Sequence, residues 1–187
     1  MKKNLIILLA FIVIATVIIN TSDLPSQTGV PESGKAKRIE CQKKTTTFER
    51  SFGDEEIKIA QDLLMSGNFS FTSSIEKSIY SESKLFEYVK LQDTDKIVNE
   101  ELKKYIKSDI KSEKNLKFRY NIYENDIKDP GKKTKKSKLY AGYVWFEFKN
   151  ENNKTIYKVQ IDFMDKKGAD IANSIRCCIK SFMTYNK

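Results

Sequence analysis

Apolar and polar positions divide this chain into two unequal parts. Leu5 to Ile19 is apolar at every position except Thr16, and Lys2 and Lys3 stand just before it. No comparable run follows. A basic start and a long apolar run mark a segment that enters a membrane. As a signal peptide it lacks a good cleavage site. Nothing from Asn20 to Ser22 resembles Ala-x-Ala, and cutting after Val13-Ile14-Ala15 would leave an apolar terminus. As a transmembrane anchor it is somewhat short of the ~20 residues that span a bilayer, a deficit that snorkelling lysines and local thinning accommodate. The retained anchor, residues 1–21, is the favoured reading, and a cleaved signal with a secreted product is the alternative. Lys2 and Lys3 place the amino terminus in the cytoplasm and the bulk of the chain outside it, with Lys35, Lys37 and Arg38 weighing modestly the other way.

Residues 22–47 hold two prolines and two glycines with few apolar side chains, the pattern of a flexible tether. Residues 48–187 read as a single extracytoplasmic α+β domain. Asp54 to about Ser66 has Ile57, Ala60, Leu63 and Leu64 at helical spacing and acids in its first turn, with Gly67 to end it. Phe69 and Phe71 suggest a short strand. Ser73-Ser-Ile-Glu76 matches a capping box, so a helix is expected from there to about Lys90. A further helix starting at Asp93 or Thr94 carries Val98, Leu102, Tyr105 and Ile106 on one face.

From Leu116 the period changes to two. Leu116, Phe118, Tyr120 and Ile122 alternate with polar residues. Leu139 to Lys149 is apolar on both faces, as in a central strand covered twice. Asn150 to Asn153 is a turn, and Tyr157, Val159, Ile161 and Phe163 face inward on the next strand. The last segment, after Gly168, has Ile171, Ile175, Cys178, Ile179 and Phe182 along one helical stripe. The expected fold is helices packed on a three-stranded, or four-stranded, antiparallel meander, closed by a C-terminal amphipathic helix.

Composition adds location and excludes some chemistry. The formal net charge is +9 with 32% charged residues, and apolar content is adequate for a core. Three cysteines, Cys41, Cys177 and Cys178, matter if the domain is exported, because thiols then tend to pair. Cys178 lies on the packed stripe, which leaves Cys177 as the more accessible partner for Cys41. No metal site is expected, since Cys…Cys-Cys is not a zinc spacing and the chain has no histidine. The missing histidine also removes the commonest general base. No nucleophile elbow, phosphate loop or Cys-x-x-Cys is present, and no cofactor is expected.

Two groups of residues are candidates for binding. Lys128, Lys132, Lys133, Lys135, Lys136 and Lys138 crowd one loop around Pro130-Gly131. Such a loop suits anionic lipid, an anionic polymer or an acidic partner, or is simply a solvated hairpin; lysines without arginines argue against specific phosphate readout. The second group is the outer sheet face, with Tyr143 and Trp145 flanked by Arg119 and Lys158, an arrangement that anchors a protein partner or stacks bases. The competing reading is a second packing layer beneath the first helices. The sequence therefore points to a membrane-anchored binding or assembly module of a bacterial-type envelope acting on protein partners. Binding of anionic polymer or lipid is the first alternative, and a hydrolase with a carboxylate pair assembled in space is the second. Sequence-specific nucleic-acid binding is not expected.

Overall fold

The computed structural model describes residues 38–132 and 134–185. The expected membrane segment (1–21), the expected tether up to residue 37 and Lys133 lie outside the described residues. Among the described residues, no helix is long and apolar enough to cross a membrane.

The elements run α1 (Glu40–Lys43), β1 (Thr47–Ser51), α2 (Asp54–Met65), β2 (Phe69–Glu76), α3 (Leu85–Tyr88), α4 (Leu91–Lys103), β3 (Leu116–Glu124), β4 (Gly142–Lys149), β5 (Thr155–Phe163) and α5 (Ile171–Thr184), with a short 3-10 turn at Lys136–Lys138 before β4. The fold is α+β, but the sheet is larger than the expected meander. Its five strands lie in the order β1-β5-β4-β3-β2. β3, β4 and β5 form the antiparallel meander, β1 adds antiparallel to β5, and β2 adds parallel to β3.

Two expectations are corrected here. Ser73–Glu76 does not cap a helix but completes β2, half-buried at every second residue. A local cap signal loses to eight residues of pairing with β3, from Phe69 opposite Leu116 to Glu76 opposite Tyr123. The expected helix to Lys90 reduces to the single turn of α3. Within the expected tether, Glu40–Lys43 is helical and Thr47 already begins β1. β1 escapes a hydrophobicity reading because its inward residues, Thr47, Glu49 and Ser51, are polar. They meet polar partners: Glu49 accepts from Tyr157 Oη and from Gln42 Nε2 at 3.1 Å, and Ser51 Oγ lies 2.6 Å from Tyr185 Oη.

α2, α4 and α5 cover one face of the sheet. That side holds the core, where Phe118, Tyr120, Phe146, Phe148, Tyr157 and Phe182 are all buried. Phe148 stacks on Phe182 with ring centroids 3.8 Å apart. Cys41 is joined to Cys177 by a disulfide with Cα atoms 5.9 Å apart, which fastens α1 to α5. Cys178 is free and fully buried. Gln42 adds a buried hydrogen bond to Ser181 Oγ at 2.9 Å.

Candidate functional site

The other face of the sheet is not covered by a described helix. Lys117, Arg119 and Lys158 are exposed there, and Tyr143, Trp145 and Gln160 are half-buried. β4 is central in the sheet, as its two-sided apolar pattern suggests, yet no second layer of described residues packs on its outer side chains.

Strand register builds this face in rows. One row runs Phe48, Gln160, Trp145, Asn121 and Ser74 across the five strands; the next runs Arg50, Lys158, Glu147, Arg119 and Thr72. The expected group of Arg119, Tyr143, Trp145 and Lys158 is thus brought together, and β1 adds Phe48 and Arg50. Arg119, Lys158 and Lys149 all point to one carboxylate. Glu147 lies 2.6 Å from Arg119 Nε, 2.9 Å from Lys158 Nζ and 3.6 Å from Lys149 Nζ, and accepts from Thr155 Oγ1 at 2.8 Å. Burial works to raise its pKa, but the hydrogen bonds from Lys158, Thr155 and Arg119 outweigh burial and hold it at about 2. It is an ion-paired hub that fixes the cations of the face.

Between β1 and β4 the face sinks into an open hollow of about 650 Å³, lined by Arg38, Phe48, Arg50, Tyr143, Trp145, Lys158 and Gln160 among others. Arg119 stacks on the Trp145 ring at 4.9 Å and does not line the hollow, so it backs the indole from the β3 side. Tyr143 stacks on Tyr123 at 4.7 Å. Burial, with Tyr123 and Glu76 nearby, pushes the Tyr143 hydroxyl up to about 12, so it serves as a neutral donor. Beside Trp145, the buried Asn121 donates to Glu76, and its Oδ1 has no partner among the described residues.

The basic loop joins the same face at its upper end, but its lysines are not equivalent. Lys132 turns inward: it donates to Asn125 Oδ1, and its ammonium sits over the rings of Tyr123 (5.4 Å) and Tyr140 (5.9 Å). Burial lowers its pKa, against the opposing pull of Asp129 and Asp126. Lys128, Lys135 and Lys138 remain exposed. Nothing is described for Lys133 or the side chain of Lys136.

The residues that pattern reading missed are Arg38, Phe48, Arg50 and Glu147. The first three depend on β1, which has no apolar alternation to reveal it. Glu147 sits on a strand that was legible, but its role exists only through cross-strand register. Among the described residues, no group of three metal-ligating side chains is placed to hold an ion. No protein-family model, curated protein or solved structure matches the chain.

Proposed function

We propose that the protein is a binding module of the cell envelope whose uncovered sheet face takes up an acidic segment of a partner protein. The observation that supports this reading is the hollow between β1 and β4, where Phe48, Tyr143 and Trp145 share a surface with Arg38, Arg50 and Lys158. Aromatic and arginine side chains supply most of the energy in protein interfaces. Lys158, which lines the hollow, and Arg119, which backs Trp145, are held by Glu147, so these two side chains have little freedom left to lose on binding. The cationic rim selects an acidic partner and speeds its encounter.

The test is site-specific photo-crosslinking from the intact chain in its own cells. A crosslinker at position 48 or 145 should capture one common protein, and one at Ile59, exposed on α2, should not. Capture of the same species from all three positions, or of none from 48 and 145, would overturn the assignment. Arg50→Glu should weaken capture at position 145 by at least about tenfold, the equivalent of roughly 1.4 kcal/mol.

A further inference from the structure

A second surface lies at one end of the sheet, beyond the hollow of the open face. Register brings the start of β1 and β4 and the ends of β2, β3 and β5 to this one end. The connections 77–84, 125–141 and 164–170 therefore gather there. From them project Ile79, Tyr80, Ile127, Leu139 and Met164, with Ile79 86% exposed. Single exposed apolar residues are ordinary, but several at one end of a small domain mark a contact surface. Lys77, Lys84, Lys128, Lys135 and Lys138 are exposed among them.

The shape of this end is enforced. Glu124 accepts from the backbone N–H groups of Ser78 (3.1 Å), Lys84 (3.0 Å) and Leu85 (3.1 Å). Asp126 accepts from Ile79 N–H at 2.7 Å and Ser81 Oγ at 2.7 Å, and also from Tyr80 N–H. Ser81 Oγ in turn accepts from Lys128 N–H at 3.2 Å, tying the two loops together. Two carboxylates are thereby turned inward, and they hold Ile79 and Tyr80 outward. Glu82 is exposed and Asp129 half-buried in these two loops, and the third connection adds exposed Asp165 with exposed Lys166 and Lys167, so exposed lysines outnumber exposed acids at this end.

We propose that this end of the domain rests on an anionic bilayer surface, with Ile79 and Tyr80 entering the headgroup region and the lysines meeting lipid phosphates. Branched and aromatic side chains partition into that boundary, and basic residues add attraction to anionic lipid. The inference is independent of what occupies the sheet face, but it rests on the expectation that Leu5–Ile19 lies in the bilayer.

The experiment uses the full chain carrying Trp145→Phe, reconstituted into protein-free vesicles whose lipids bear brominated acyl chains. A single tryptophan is then placed by Ile79→Trp, by Tyr80→Trp, or by Ile110→Trp at the opposite end of the sheet, where Ile110 is 70% exposed. With phosphatidylglycerol in the vesicles, emission from positions 79 and 80 should be quenched several-fold more than from position 110. In phosphatidylcholine alone the difference should shrink sharply. Chain that floats with the vesicles but shows no quenching at 79 or 80 would overturn the inference and leave the anchor standing. Equal quenching in both lipids, or at all three positions, would overturn it as well. Chain that fails to float would remove the anchor and the inference together.

Discussion

Glu147 shows how one buried charge organises a surface. It is 3% exposed, yet its partners Arg119 and Lys158 are about half exposed, so each pair is partly screened. Its folded pKa of about 2 lies below the ordinary 4.5. The carboxylate therefore stabilises the fold above pH 4.5, and that contribution disappears as pH falls towards 2. Glu147→Gln should cost about 1–2 kcal/mol at neutral pH. It should also flatten the loss of stability between pH 4.5 and 2, as followed by urea unfolding at stepped pH; an unchanged acid limb would refute the role. The cysteines give a cleaner count. Burial pushes the Cys178 thiol well up, and Glu49 adds to the effect. Unreduced native protein should accordingly label at no thiol, unfolded unreduced protein at one, and unfolded reduced protein at all three. Cys178 was legible from its helical stripe and Cys177 from its position beside it. Glu147 was not, because alternation along a strand reveals which residues share a face but not which side chains lie opposite.

Between elements, the close approach at Gly168 limits which residues the fold tolerates. Gly168, at the turn from β5 to α5, has φ +78°, and a Cβ there would sit 2.4 Å from Val89 Cγ2 and 2.8 Å from Ile171 Cδ1. Gly168→Ala combines left-handed backbone strain with overpacking, a cost of about 2–4 kcal/mol. Gly131→Ala should be far milder, since its nearest neighbour is the carboxylate of Asp129 on an exposed loop, at 3.1 Å. Comparing the two melting temperatures checks the assignment, and equal shifts would contradict it. The long elements with a strict period, β3, β5 and α5, could be read from sequence because burial on one face imposes that period. β2 was legible only at its start, Phe69 and Phe71, and β1 not at all. Ser73 interrupts the apolar face of β2, and its pairing with β3 joins segments more than forty residues apart. β1 buries hydroxyl and carboxylate groups that are acceptable only because Gln42, Tyr157 and Tyr185 satisfy them.

At the scale of the molecule, β1 connects everything that the meander alone would leave separate. It is an edge strand with a single neighbour, β5. Its Phe48 and Arg50, with Arg38 just before it, form one wall of the hollow. The Cys41–Cys177 disulfide fastens the helix that leads into it, closing a loop of 136 residues. Breaking that bond should cost about 4–5 kcal/mol by loop entropy, but the loss need not be spread evenly through the fold. The meander keeps its ladder and its aromatic core, whereas β1, an edge strand, is held by its pairing with β5, the contacts of Thr45, Gln42 and Glu49, and the hydroxyl pair of Ser51 and Tyr185. Local opening follows the weakest attachment, so Cys41→Ser should speed amide exchange in residues 47–51 well beyond any change in residues 116–122. The same variant should lose capture at position 145 as the opposite wall of the hollow moves away. Exchange rising equally in both strands would mean that the disulfide stabilises the domain as a whole and does not hold the binding wall in place.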